Sequence, residues 1–88
     1  MLNSCILIGR FNGMVDGNTM ELKVQRPREG ELQEYYLVNV VLGDNIVENA
    51  REYLKIDSVV GVKGTIKTNE NKEIQIVADK ISFLSSHN

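Results

Sequence analysis

The residues that could carry out catalysis in this 88-residue chain are few and lie far apart in the sequence. The one histidine, His87, lies among the last four residues, where chain ends are commonly disordered. The one cysteine, Cys5, lies in the apolar run CILI, which predicts a buried thiol and leaves no partner for an intrachain disulfide. No histidine or cysteine spacing fits a metal site, and no glycine-rich loop leads into a helix. The sequence therefore predicts a protein that is not an enzyme and needs no metal or cofactor.

Cations on the outer faces of strands are the residues that predict binding instead. Val60, Val62 and Ile66 alternate with Lys63 and Lys67, so the two lysines share one face of a strand. A row of cations can follow the phosphates of a nucleic-acid strand, and flat side chains can stack on its bases. The other cations predicted to take part are Arg10, Lys23, Arg26, Arg28 and Lys72.

Tyr36 is predicted to be the stacking side chain. Tyr35 and Tyr36 are adjacent, so one of them points inward in a regular strand, and Tyr35 is expected to pack in the core or against a loop. A second interpretation of the cations stays open, because lysines on the outer face of a strand are often only solvated. The formal net charge of −2 provides no general attraction for polyanions, and Glu21, Glu70 and Glu73 could neutralise the lysines.

Hydrophobic periodicity predicts the elements that position these residues. Met20, Leu22 and Val24 alternate with polar neighbours as in a half-buried strand, and Asn12-Gly13 and Asp16-Gly17 are both strong reversal signals. The predicted strands cover residues 2–10, 19–26, 34–42, 58–67 and 74–84. Phe11 and Phe83 are expected in the core.

A short helix is predicted between the third and fourth strands. Asn45 has the spacing of an N-cap with Glu48, and Ile46, Ala50, Tyr53 and Leu54 form its apolar stripe. The order β-β-β-α-β-β predicts an all-β protein, the OB-fold, a five-stranded partly open barrel. Another small barrel, such as an SH3-like one, stays open, although the helix favours the OB-fold. One domain is expected over residues 1–84, with a short tail at 85–88.

The first predicted strand is apolar on both faces, since Cys5, Ile6, Leu7 and Ile8 are consecutive. One face fits the barrel interior, and the other must be covered by a loop or by a second subunit. The sequence therefore predicts a homo-oligomer, a dimer or a tetramer, that associates through this strand. The opening residues lack the features of a signal peptide, and no apolar run is long enough to span a membrane, which predicts a cytoplasmic protein.

Three segments resemble the bacterial single-stranded-DNA-binding protein family: MLNSCILIGR, ENAREYLKIDSVVGVKG and VADKISFL. The resemblance implies an OB-fold that binds single-stranded DNA nonspecifically and without catalysis, usually as a homo-oligomer, in replication, recombination or repair. The sequence also departs from the family's pattern at several positions. The chain has no tryptophan, Tyr36 stands where the third strand commonly carries a stacking aromatic, and Leu42 replaces a second one. The loops PREGELQ and TNENKE are short, Ile56-Asp57 replaces a glycine, and the acidic tail that recruits partners is not expected.

Weaker stacking leaves a second function open, that of an OB-fold protein-interaction module resembling a primosomal replication protein, with weak or no DNA binding. The net charge of −2 and the missing tryptophans favour this alternative, whereas the shared face of Lys63 and Lys67 favours DNA binding. A third hypothesis is a regulatory paralogue that mixes into hetero-oligomers with a full-length homologue.

Overall fold

The computed structural model describes residues 3–25 and 35–84. Their elements follow in the predicted order β-β-β-α-β-β. The bounds are β1 Cys5–Met14, β2 Thr19–Gln25, β3 Tyr35–Val41, α1 Asp44–Ala50, β4 Val59–Thr68 and β5 Ile74–Phe83. The predictions made for Arg26, Arg28, the loop after them and the tail at 85–88 lie outside the described residues.

The strands form a closed barrel in the order β1-β2-β3-β5-β4. The β3–β5 pairing is parallel and consists of two residue pairs, Val40 with Ile76 and Val41 with Val77, whereas the other pairings are antiparallel and longer. The predicted five-stranded OB-fold is confirmed.

The core is built by the inward positions of the alternating strands. Met20 and Leu22 on β2, Val40 on β3, and Val60 and Val62 on β4 are buried. Such side chains contribute about 1.5–3 kcal/mol each when they leave water, which pins the register of the strands that carry them.

The two phenylalanines have different environments. Phe11 belongs to the buried core, as predicted. Phe83, in contrast, is 41% exposed at the end of β5, so its predicted place in the core was wrong. Its ring lies 5.3 Å from that of Tyr53, which is itself exposed just after the helix.

β1 continues four residues beyond its predicted end, because Asn12-Gly13 does not reverse the chain. Gly13 has a φ of +114° and lies where the β1–β2 register shifts, so it forms an irregularity inside the strand. The reversal occurs at Asp16-Gly17, where the Val15 N–H donates to the Thr19 carbonyl at 2.8 Å. The backbone N–H of Asn18 donates to Asp16 Oδ1, which lowers the pKa of Asp16.

The helix begins earlier than the capping pattern predicted. Gly43 is the N-cap with extended backbone and without a side-chain cap, and Asn45 lies inside the first turn. Asp44 is the first helical residue, where a carboxylate interacts favourably with the helix dipole. Val47 and Ala50 are buried, so the helix covers one end of the barrel.

The outer side of β1 carries exposed apolar residues. Ile6 and Ile8 are 74% and 59% exposed, whereas Cys5 and Leu7, which alternate with them, are partly buried. The single chain therefore covers only one of the two apolar faces that the run CILI presents.

Candidate nucleic-acid interface

Strand register brings a cation and an aromatic ring together on the outer face of β1, β2 and β3. Lys23 on β2 is the register partner of Arg10 on β1 and of Leu37 on β3, and Gln25 is the partner of Tyr35. Lys23 Nζ lies 5.9 Å from the centre of the Tyr35 ring, within the range of a cation–π interaction. We call the surface that carries Arg10, Lys23 and Tyr35 the β1–β3 face.

The register also fixes which side of β3 each tyrosine occupies. Tyr36 pairs with Val24 and shares its parity with the buried side of the barrel, while Tyr35 shares its parity with the exposed Asn39. Tyr35 was expected to pack in the core or against a loop, and the structure places it on the outer face instead. Tyr36 is 52% exposed because it lies at the end of the strand, beyond the core. Because Asn39 is polar and shares the parity of Tyr35, it was the residue in the sequence that could have predicted which side of β3 faces outward.

A depression of about 350 Å³ lies on the β1–β3 face, and it includes Arg10, Lys23 and Tyr35 among its lining residues. Gly9 lies beside it, and a Cβ added there would lie 2.7 Å from the Lys23 carbonyl oxygen, so β1 and β2 approach closely at this point. Arg10 is held at its edge, where Nη1 donates to the Asp57 carbonyl at 3.0 Å. A depression with two cations beside a ring suits a phosphate and an adjacent base.

The remaining predicted cations are not gathered on this face. Lys63 and Lys67 lie on the outer face of β4, which is separated from β2 by β1. Lys72 lies in the β4–β5 hairpin with a φ of +62°. Of the predicted cations within residues 3–25 and 35–84, the structure therefore brings together Arg10 and Lys23.

The opposite end of the β2–β3 surface is acidic. A second depression lies between the β1–β2 turn and the β4–β5 hairpin, and it is lined by Asp16, Glu73 and Asn39 among others. Nearby, Asn12 Nδ2 donates to Glu21 Oε1 at 2.6 Å, which orients that carboxylate. Arg10 and Lys23 therefore lie in a different depression from Asp16 and Glu73.

Sequence reasoning missed four residues that the structure exposes beside the cations: Gln25, Tyr35, Leu37 and Lys80. Leu42 was expected to replace a stacking aromatic, but it is fully buried, and the outer residue at the end of β3 is Val41. The described residues contain no group of three histidine, cysteine or acidic side chains that could hold a metal ion.

Sequence comparison finds relatives that match along the whole chain. A Staphylococcus aureus protein (strain COL) named single-stranded DNA-binding protein 2 is 34% identical over 109 aligned positions, which cover all of this chain and 77% of the relative. The chain belongs to the single-stranded-DNA-binding protein family. A further family member, from Halalkalibacterium halodurans, is 32% identical and aligns over 96% of this chain and 61% of its own length. No family model matches the chain.

The S. aureus alignment also shows that this family member is compact. The alignment spans 109 positions, whereas this chain has 88 residues. The S. aureus relative therefore carries additional residues within the aligned region. This agrees with the short loops expected from the sequence.

Solved structures support the same fold. The yeast mitochondrial single-stranded DNA binding protein Rim1 superposes with a TM-score of 0.69 at 13% identity, and covers 100% of this chain and 99% of that one. The small single-stranded DNA-binding protein of Streptomyces coelicolor gives 0.65 at 19% identity, with 94% of each chain covered. The N-terminal domain of a PriB protein from Thermoanaerobacter tencongensis gives 0.61 at 17% identity, with 96% of this chain and 98% of that one covered. Within the described part of this chain, no helix is both long and apolar enough to cross a membrane.

Proposed function

We propose that this protein binds single-stranded DNA without sequence preference on its β1–β3 face, and that it protects or organises single strands in replication, recombination or repair in the cytoplasm. The observation that carries the proposal is the Lys23 ammonium above the Tyr35 ring, with Arg10 as its register partner. Relatives that match the whole chain carry the name single-stranded DNA-binding protein.

The proposed mechanism uses phosphate contacts and stacking, with no chemical step. Arg10 and Lys23 neutralise phosphates and release counterions, and Tyr35 offers a face that any base can stack on. Tyr36 remains a second candidate for stacking, at the end of β3. Arg26, Arg28 and Lys72 are proposed to add further phosphate contacts.

Replacing both central cations tests this mechanism. The double variant Arg10→Gln, Lys23→Gln loses two phosphate contacts, so its affinity for oligothymidine should fall by roughly tenfold at about 200 mM salt and further at about 50 mM. Fluorescence anisotropy measures the affinities. The matched control is Arg51→Gln, Lys55→Gln, which removes the same charge from exposed positions near the helix. Equal affinities for the two double variants would contradict the proposed role of Arg10 and Lys23.

We propose further that copies associate as a dimer or tetramer through the start of β1, at Ile6 and Ile8; Ile8 also lines the depression beside Arg10, so a second copy would border the β1–β3 face there. Ile6 and Ile8 are exposed in the single chain, and covering each of them would contribute about 1.5–3 kcal/mol. The PriB domain of similar fold is described as dimeric.

Charged residues on this face should produce monomers. Ile6→Glu, Ile8→Glu places carboxylates in the proposed interface, and sedimentation velocity should then report the monomer mass. Ile74→Glu is the control, because Ile74 is 76% exposed on the β4–β5 side and lies outside β1. A wild-type protein that sediments as a monomer, or an Ile74 variant that dissociates equally, would contradict association through β1.

The second candidate function is a protein-interaction module with weak or no DNA binding. The specific observation in its favour is the acidic end of the β2–β3 surface, where Asp16 and Glu73 line a depression. Undetectable binding of oligothymidine by the wild-type protein at about 50 mM salt would favour this candidate.

A further inference from the structure

We propose that the depression between the β1–β2 turn and the β4–β5 hairpin holds one base of the bound strand, and that it prefers adenine or cytosine to thymine. We call this depression the amide–carboxylate pocket, because Asp16, Asn39, Glu73 and Gln75 are among the residues that line it. The inference rests on the proposed function, since the strand held on the β1–β3 face supplies the base. It adds a base preference to a face whose phosphate and stacking contacts do not distinguish bases.

The pocket continues the outer surface of the strands that carry the β1–β3 face. Thr19 on β2 pairs with Val41 on β3, and both line the pocket, whereas Lys23 pairs with Leu37 on the same two strands. Lys23 and Thr19 are separated by about 13 Å along β2. One OB-fold covers about 4–16 nucleotides, so a strand whose phosphates contact Lys23 can place another base in the pocket.

The proposed subunit association lies away from the pocket. Val15 and Asp16, which line the pocket, follow the end of β1, whereas Ile6 and Ile8 lie near its start and pair with β4. Ile8 and Val15 are about 23 Å apart along an extended chain. The pocket therefore lies at the other end of β1 from the apolar residues that a second copy would cover.

The pocket suits a base better than a phosphate. Its volume is about 260 Å³, and the exposed side chains of Val15 and Ile74 border it from the turn and from the hairpin. Apolar side chains can pack against the faces of a base, while a few polar groups bind its edge. Asp16 and Glu73 repel a phosphate, and within residues 3–25 and 35–84 neither of them forms an ion pair.

The two carboxylates are held as hydrogen-bond acceptors. The backbone N–H of Asn18 donates to Asp16 Oδ1 at 2.9 Å, which lowers the pKa of Asp16 and keeps it ionised at neutral pH. Asn69 Nδ2 donates to Glu73 Oε1 at 3.4 Å, and the Glu73 N–H donates to Asn69 Oδ1 at 3.0 Å. An ionised carboxylate accepts hydrogen bonds but cannot donate one, so each requires a donor on the base.

The amides supply the complementary donors. Within the described residues, the side-chain amides of Asn39 and Gln75 have no hydrogen-bond partner, so both are available to a ligand. Adenine and cytosine present an amino donor beside a ring-nitrogen acceptor, which matches a carboxylate beside an amide N–H. Thymine presents a carbonyl oxygen in place of the amino group, and a carboxylate repels that oxygen. The pocket therefore prefers the bases that carry the amino group.

Oligodeoxycytidine and oligodeoxyuridine of about 8 nucleotides test this preference, because their bases differ in the amino group and the adjacent ring nitrogen alone. We expect the wild-type protein to bind the cytidine strand roughly 5- to 10-fold more tightly in anisotropy titrations at one salt concentration. Equal affinities for the two strands would overturn the pocket and leave the β1–β3 face intact. Absence of binding to both strands would overturn the proposed function and the pocket together.

Removing the carboxylates tests whether the preference comes from this pocket. In Asp16→Asn, Glu73→Gln, the ratio of the two affinities should fall to about one, because an amide can also donate to the uracil carbonyl. If the carboxylates only repel phosphates, both affinities should rise by the same factor and the ratio should not change, which would overturn the base contact. The control is Glu48→Gln, Glu52→Gln, which removes the same charge from exposed positions and should retain the preference.

Replacing the amides tests the other half of the pocket. Asn39→Val, Gln75→Val removes both amides and keeps residues that favour strands. Affinity for the cytidine strand should fall by roughly fivefold, and affinity for the uridine strand should also fall, because an amide can bind either base. Unchanged affinity for both strands would overturn the assignment of Asn39 and Gln75 to the site.

Discussion

Tyr35→Ala is expected to weaken binding of oligothymidine by roughly 5- to 100-fold, because one aromatic stack contributes about 1–3 kcal/mol. Tyr35 lies on the outer face of β3, and the Lys23 ammonium is 5.9 Å from its ring centre. The ring and the cation are therefore in place to receive a base and its phosphate together. Anisotropy titrations of wild type and variant at the same salt concentration measure the change.

Three further substitutions make the test specific to the ring. Tyr35→Phe keeps the stacking face and should retain most of the affinity, and Tyr35→Trp should increase it. Tyr36→Ala removes the same side chain from the adjacent position, which shares its parity with the barrel interior. A larger loss of affinity for Tyr36→Ala than for Tyr35→Ala would move the stacking position to Tyr36, as the sequence first indicated.

Gly9→Ala is expected to lower the free energy of unfolding by about 1–3 kcal/mol, in the range of overpacked cores. The new Cβ would lie 2.7 Å from the Lys23 carbonyl oxygen, which is a backbone atom and cannot rotate away. β1 and β2 must separate to admit it, and this moves Lys23 away from Arg10. We therefore expect a loss of DNA affinity together with the loss of stability.

Denaturant titration at a fixed protein concentration measures the stability, and anisotropy measures the affinity of the folded protein. Gly17→Ala is the matched control, since a Cβ at Gly17 meets nothing within 4 Å. If Gly9→Ala were as stable as Gly17→Ala, the close approach of β1 and β2 would not hold in solution.

The order of elements and the core could be predicted from the sequence because both depend on local periodicity. Met20, Leu22 and Val24 alternate with polar residues, and burial of Met20 and Leu22 leaves little freedom in their register. A helix forms between β3 and β4 as predicted, but it ends at Ala50, so Tyr53 and Leu54 of the predicted stripe lie beyond it and Tyr53 is exposed. Its N-cap also differs from the prediction, since Gly43 caps through its extended backbone alone.

The candidate site was less predictable, because it depends on which faces of different strands meet. A shift of one residue in strand parity decides whether Tyr35 or Tyr36 lies on the outer face. Asn39 is the polar residue that indicates the outer face, but its neighbours are apolar, so the pattern alone did not fix the parity. Alternation of apolar and polar residues also cannot predict where a strand contains an extra or irregular residue. Gly13 extends β1 through a turn signal, and Asp79 is an extra residue of β5 where the β4–β5 register shifts.

The central claim, a cationic and aromatic face that binds single strands, is tested most directly by titrating fluorescent oligothymidine with the wild-type protein at about 50 and about 200 mM salt. For single strands, the logarithm of the affinity falls with the logarithm of the salt concentration by about 0.7 for each phosphate contact. With contacts from Arg10, Lys23 and their neighbours, we expect micromolar or tighter binding that weakens steeply as salt rises. Binding that is absent at the lower salt concentration, or that does not change between the two, would contradict the account.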